Sequence, residues 1–178
     1  MSLVHEVDLT AIDCTQARQI RDVFGQFATG VTVITTQTAE GKKIGMTANS
    51  FSSLSLDPPL VLWSLSKTAP SITAFSEASH FAIHILSAEQ QAISQHFARG
   101  AEDKFATIAH ETCEQGVPIL NEALATLLCK NIQQYEGGDH LIFIGELTHT
   151  RQQEGEPLLF HRGQYALKQT ADIEAKCA

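Results

Sequence analysis

The densest run of side chains able to do polar chemistry is Met46-Thr47-Ala48-Asn49-Ser50-Phe51-Ser52-Ser53, followed at once by Leu54-Ser55-Leu56-Asp57-Pro58-Pro59. Small hydroxyls and one amide on a strand and its exit loop can donate to a phosphate or to the polar edge of a flat heterocycle without filling the cavity that holds it. From composition alone, the same run reads first as an ordinary, partly exposed strand. His80, His84 and His96 suggest metal ligation, since imidazole is a common ligand. His80 and His84 share one strand face, but four positions at roughly 3.3 Å each put them about 13 Å apart, too far to converge on one ion. No metal site is expected. Cys14, Cys113, Cys129 and Cys177 form no CxxC or CxC pair, and free buried thiols are the expectation for them.

The elements that must position the polar run follow from pattern. Residues 15–27 place Ala17, Ile20, Val23, Phe24 and Phe27 at helical spacing, predicting an N-terminal helix with one apolar stripe toward a core. Residues 31–36 are rich in β-branched side chains, and Glu40-Gly41-Lys42-Lys43 supplies turn chemistry before a second strand over 44–51, so a hairpin is predicted. Pro58 and Pro59 interrupt, and residues 60–65 resume as a buried strand. Pro70 fits the first turn of a short helix to Phe75, and 80–86 alternates as a strand. Ser87 with Gln90 three residues on gives a capping-box start for a helix to about Phe97. Residues 99–116 show no clear period. Residues 124–135, 140–151 and 157–168 read as three further strands separated by glycines.

Composition bounds what these elements serve. The chain has 178 residues, with 20 acidic against 12 basic side chains and a formal charge of −8, which repels polyphosphate backbones, so no nucleic-acid partner is expected. Its longest apolar stretch, near residues 58–65, falls far short of the roughly 18 to 20 residues that span a bilayer, so no membrane partner is expected. Residues 1–9 carry Glu6 and Asp8 and do not read as a secretory signal, which makes the cytoplasm the expected location. The phosphate-loop, dinucleotide-fingerprint, nucleophile-elbow and zinc-protease motifs are missing. One domain over 15–168 is expected, between tails 1–14 and 169–178. Its predicted class is mainly β with α: an antiparallel β-barrel with peripheral helices, whose closure would remove free strand edges.

The order of the residues adds a resemblance. Phe24-Gly25-Gln26-Phe27-Ala28-Thr29-Gly30-Val31-Thr32-Val33-Ile34-Thr35-Thr36 and then Gly45 through Val61, including the polar run, resemble the flavin reductase family of FMN-binding split barrels. The likeness continues through Phe81-Ala82-Ile83-His84-Ile85-Leu86-Ser87 with Gln90, Phe97-Ala98, Lys104-Phe105, Gly138-Asp139-His140 with Ile144-Gly145-Glu146, and Pro157 through Tyr165. It covers about residues 18–168 in order.

The resemblance implies a split-barrel homodimer that uses NADH or NADPH to reduce FMN or FAD and passes reduced flavin to a partner monooxygenase. By that likeness Thr29, Gly30, Val31, Thr32 and Val33 lie by the flavin, as do Thr47, Ala48, Asn49, Ser50, Phe51, Ser52 and Ser53. Ser64, Ser66, Lys67 and Ser71 resemble a further contact segment whose hydroxyls and cation would hold the phosphate. His140 resembles a nicotinamide-positioning histidine, while hydride transfer itself asks for no protein acid or base. Arg162 and Tyr165 look like final-strand positions near the cofactor or a partner subunit. Phe24, Phe27, Phe51, Phe75, Phe81 and Trp63 are expected in the core. A non-catalytic flavin carrier on the same barrel is the alternative. FMN against FAD and NADH against NADPH stay open.

Overall fold

A nearly unbroken β-branched run loses side-chain rotamer freedom in a helix but packs well on a pleated surface, and residues 31–36 accordingly lead into a strand. The computed structural model describes residues 9–100 and 103–166. In chain order the elements are α1 (Ala17–Phe24), β1 (Thr29–Gly30), β2 (Thr32–Gln37), β3 (Lys43–Ala48), β4 (Ser52–Leu56), β5 (Pro59–Ser66), α2 (Ile72–Glu77) and β6 (His80–Ile85). A 3-10 turn (Ala88–Gln90) and α3 (Gln91–Ala98) come next. The chain then runs through β7 (His110–Thr112), β8 (Pro118–Leu120), β9 (Ala125–Gly137), β10 (His140–Gln152), β11 (Leu159–His161) and β12 (Gln164–Ala166). The predicted hairpin is β2–β3, turning through Gly41 at φ 85°, a conformation that glycine adopts without a Cβ clash.

Seven strands make one antiparallel sheet in the order β3-β2-β6-β9-β10-β5-β4. Its two edges, β3 and β4, are consecutive in the chain and joined only by residues 49–51. Four Cα steps of 3.8 Å reach at most about 15 Å, whereas a flat seven-stranded sheet at ~4.8 Å spacing would hold its edges about 29 Å apart. The sheet must therefore curl until its edges nearly meet. They do not pair, so the barrel is split, as the resemblance implies, with a seam between β3 and the β4–β5 hairpin. Ser50 bridges the seam: its Oγ donates to Ser64 O at 2.9 Å and accepts from Ser64 N–H at 3.0 Å, continuing with a side chain the ladder that β4 ends at Ser52.

The barrel interior is aromatic. Trp63 stacks on Phe143 with centroids 4.4 Å apart and meets Phe75 and Phe81 edge-on at 5.0 and 5.6 Å. All four side chains are fully buried, and such pairs add about 0.5–1.5 kcal/mol each beyond the area they hide. A second cluster around Val31, Val33, Leu86, Phe97 and Leu158 fastens α3 and the small β1-β11-β12 sheet to the barrel.

Several expectations change. The α1 stripe faces solvent: no residue of the helix is buried, and Val23, Phe24 and Phe27 are 65%, 70% and 79% exposed. Amphipathic spacing requires that a stripe be covered, not that its own chain cover it. Phe24 and Phe27 are thus outside the core, and Phe51 is half-buried, while Trp63, Phe75 and Phe81 lie within it. Residues 157–166 form two strands rather than one, because Arg162 (φ 49°) and Gly163 (φ 78°) reverse the chain in the primed-turn geometry usually signalled by Asn-Gly. Residues 99–116 contribute to a short hairpin, β7–β8. Of the cysteines, Cys129 is buried, Cys113 half-buried and Cys14 exposed; Cys177 and Lys168 lie outside the described residues. Among the described residues no helix is long and apolar enough to cross a membrane.

Candidate functional site

The sequence-selected residues divide sharply by what they touch. Val31, Thr32 and Val33 are buried, and the Thr32 hydroxyl donates to Ala48 O at 2.7 Å across the β2–β3 ladder. Ala48 is buried too. These side chains are packed into the wall of the barrel. Thr47 donates to Ser94 O at 2.6 Å, and the Tyr165 hydroxyl lies 2.8 Å from Ser94 Oγ, so α3 ties the β3 edge to the closing strand β12. Ser94 is buried and was not selected from the sequence; its only signal there is its place on the inner side of α3.

Asn49, Ser52 and Ser53 are exposed where the chain crosses the seam, and Ser50 and Phe51 are half-buried. Ser52 Oγ donates only to the neighbouring Ser53 O, at 3.1 Å. The Asn49 amide and Ser53 hydroxyl have no side-chain hydrogen bond among the described residues, so both remain available. Gly30, exposed on β1, has no atom within 4 Å of where a Cβ would stand, and the neighbouring Thr29 Oγ1 is buried without a partner.

Strand alternation sends Val61, Trp63 and Leu65 inward and turns Ser64 and Ser66 to the outer face. Ser66 pairs with His140 at the start of β10. The His140 Nδ1 lies 2.7 Å from Asp139 Oδ1, and that hydrogen bond from the ring, followed by the ring's attraction whenever it is protonated, holds the Asp139 carboxyl below its ordinary range. With Nδ1–H donating to Asp139, Nε2 is the ring nitrogen left for a visitor. Lys67 is also at this corner, but its Nζ is 3.3 Å from Glu136 Oε2, and its N–H donates to Asp139 O at 2.9 Å. Lys67 is therefore a shared charge rather than the free cation that the sequence suggested. Arg162 sits apart, exposed, with its N–H bonded to Gly25 O at 2.9 Å.

Beyond Ser50 the seam opens into a cavity of about 360 Å³ between β3 and the end of β5, floored by the C-terminal end of α3. Thr47, Leu65 and Ser71 line it, and the Ser71 hydroxyl has no hydrogen bond among the described residues. His84 plays no part here. It is fully buried, with Nδ1 donating to Val33 O and Nε2 accepting from Leu120 N–H, both at 3.0 Å. Burial takes its pKa down from 6.5 to about 4, so the ring is neutral. His96 bonds Lys104 O at 2.7 Å. Among the described residues, no three metal-ligating side chains come together.

The arrangement is a split barrel with uncommitted amide and hydroxyl donors along its seam and a tethered imidazole at one corner. Residues 24–167 match the model of the flavin reductase like domain. The chain belongs to that family. It is 46% identical over 149 residues to the FMN reductase (NADH) SmoA of Agrobacterium fabrum, covering 84% of each chain. It is 43% identical to the reductase component of a flavin-dependent trigonelline monooxygenase from Acinetobacter baylyi, spanning 83% of this chain and 48%, about half, of that one. The NADH:FAD oxidoreductase of Streptomyces globisporus superposes with a TM-score of 0.86 at 37% identity, over 92% of this chain and 99% of that one. The same oxidoreductase in complex with NAD and FAD fragments superposes with a TM-score of 0.85.

Flavin chemistry fits what is present. A flavin offers ring carbonyls and nitrogens, ribityl hydroxyls and, in its nucleotides, a phosphate. The unbonded Asn49 amide and the Ser53 and Ser71 hydroxyls are donors of the matching type, with open space above Gly30.

Proposed function

We propose that this flavin reductase-like chain reduces FMN or FAD with a reduced nicotinamide dinucleotide, NADH being the one named for its relatives. The observation that carries the reading is the seam itself, where the Asn49 amide and Ser53 hydroxyl are left unbonded and exposed near a cavity lined by Ser71, in a barrel of the flavin reductase family. Bound flavin supplies the two-electron redox chemistry, accepting hydride from the nicotinamide. The protein's part is placement. Asn49 to Ser53, with Thr29 and Gly30, form the cradle against which a flat ring would lie, and Ser64, Ser66 and Ser71 continue it along the end of β5. Val31, Thr32, Val33, Thr47 and Ala48 support the cradle from behind, and Tyr165 braces it through Ser94. Fixed amide and hydroxyl donors stabilise the charge of a reduced ring without reorganising. His140, oriented by Asp139, offers Nε2 to accept from an amide such as the nicotinamide carboxamide, so it positions rather than transfers a proton. Lys67 and Glu136 border that end.

The same reading extends to a homodimer, in which a second copy covers the exposed Val23, Phe24, Phe27 and Leu56. It also extends to a cytoplasmic setting and to a monooxygenase that consumes the reduced flavin, because reductase components of monooxygenases stand among the relatives. The experiment is a spectrophotometric titration of NADH and NADPH oxidation against FMN, FAD and riboflavin. Flavin-dependent oxidation supports the reading. Flavin binding without oxidation of either nicotinamide leaves the carrier.

A further inference from the structure

A second cavity lies across the barrel from the seam, on the outer face of its middle strand, β9. Thr126 and Leu128 share that face with Arg151 and His149, which stand directly opposite them on β10. The β7–β8 hairpin covers the same face, where Val117 and Ile119 pack with Ala82 and Leu128. Hairpin and sheet do not meet completely. Between them is a space of about 480 Å³, within the range that takes one small organic molecule. Arg151 stands at the far end of β10 from His140, roughly 30 Å or more along the strand. None of Val23, Phe24, Phe27 and Leu56, the side chains assigned to a second copy, lines the cavity.

Its walls are chemically mixed. Arg151 is the fixed cation: one terminal nitrogen donates to Leu120 O at 2.9 Å, and the other stands 3.5 Å from Glu111 Oε2, longer than a firm hydrogen bond. A guanidinium carries five N–H donors, so most of its capacity is unspent. Thr126, opposite Arg151 in the ladder, is buried, and its Oγ1 has no hydrogen-bond partner, although buried hydroxyls are normally satisfied. Ile119 and Leu128 add apolar wall, and Cys113 adds a half-buried thiol. Glu114 also lines the space and limits the charge it accepts. One guanidinium beside one carboxylate suits a single negative charge on a flat group that matches the guanidinium fork, not a phosphate dianion.

We propose that this cavity binds a small organic carboxylate, with its charged end on Arg151 and the Thr126 hydroxyl and its apolar body between Ile119 and Leu128, whether or not the seam holds a flavin.

The test uses benzoate as the probe and benzamide as its uncharged counterpart of similar shape, on the full chain. Calorimetry gives the Kd of each. Cys113 reports where they bind: its alkylation by iodoacetamide is followed by peptide mass spectrometry, with the exposed Cys14 in the same sample as the control. At about four times its Kd, benzoate should slow alkylation of Cys113 about fivefold, the factor for a bound form that does not react, and leave Cys14 unchanged. Benzamide should bind weaker by on the order of tenfold, and Arg151→Gln should weaken benzoate by a similar factor with FMN affinity unchanged. Because Arg151 also holds Leu120 O, the protection measured on the native chain decides independently of that variant. Excess FMN should leave the protection intact. Protection by benzamide equal to that by benzoate, no protection by either, or protection that FMN abolishes would each overturn the proposal, the last by placing benzoate in the seam.

Discussion

Two hydroxyl-rich stretches of this barrel, only a dozen residues apart, are in opposite states. Along β2, Thr32, Thr35 and Thr36 are buried, and each donates to a carbonyl: Ala48 at 2.7 Å, Pro118 at 2.6 Å and His80 at 2.8 Å. At the seam, Asn49 and Ser53 are exposed and donate to nothing among the described residues. Side-chain type does not separate the two groups. The difference lies in what stands across the strand: β2 runs between β3 and β6 with the β7–β8 hairpin laid over it, while residues 49–51 cross the seam and Ser53 stands on the edge strand β4. One set of polar groups holds the fold, and the other is left unbonded by it.

The largest effect that could break this division is on the packed side. Phe81→Ala empties a fully buried site against Trp63, and the loss expected in chemical denaturation is about 3–5 kcal/mol. A change below about 1 kcal/mol would mean that the aromatic interior is not what closes the curl.

Next is acid. His84 is neutral in the native chain with a pKa of about 4, against 6.5 for an ordinary histidine. Below pH 6.5 the unfolded chain takes up a proton that the native chain refuses, so stability present above 6.5 falls as pH drops toward 4, by roughly 3 kcal/mol at the lower end. Denaturation curves from pH 8 to 4 check the sign, and His84→Asn should lessen the slope by up to one proton.

A matched pair sharpens the comparison most. Thr32→Val should cost about 1 kcal/mol of stability by removing the bond to Ala48 O, with flavin affinity unchanged. Asn49→Ala should leave stability within about 0.5 kcal/mol while weakening flavin binding roughly fivefold, since its lost bond is to the ligand. Interchanged results would mean that burial has been misassigned to function.

His140→Ala should raise the KM for NADH by roughly tenfold and the flavin KM by much less, and His140→Gln, which keeps a side-chain acceptor, should recover part of it. Smallest of all is Lys67→Ala. An exposed pair contributes little, so flavin affinity should change less than threefold.

Much of the frame is legible in the sequence, because local chemistry dictates it. The β-branched run of 31–36 with Gly41 gives the β2–β3 hairpin, and Ser87 N–H donates the return bond to Gln90 Oε1 at 3.1 Å, as the capping pattern requires. The long strands β9 and β10 and the break at Pro58 are equally local. The division of hydroxyls is not, since Thr32 and Ser53 differ only in a neighbour that the fold brings from elsewhere. The grouping of Lys42, Arg99 and Lys104 about one cavity is hidden for the same reason, since they come from three segments, and Lys67 is paired with Glu136 from a distant strand. The exposed face of α1 and the Arg162-Gly163 reversal escape a pattern that records spacing but not cover or handedness.

The central claim is that the seam is a working site for flavin and reduced nicotinamide together. The direct test is NADH oxidation by the purified chain, followed at the reduced-nicotinamide absorbance band, with FMN, FAD, riboflavin or no flavin added. The account predicts oxidation that depends on a flavin, with turnover before any addition marking a flavin that purifies with the chain. A folded protein that binds flavin yet oxidises neither NADH nor NADPH under any of these conditions would contradict it.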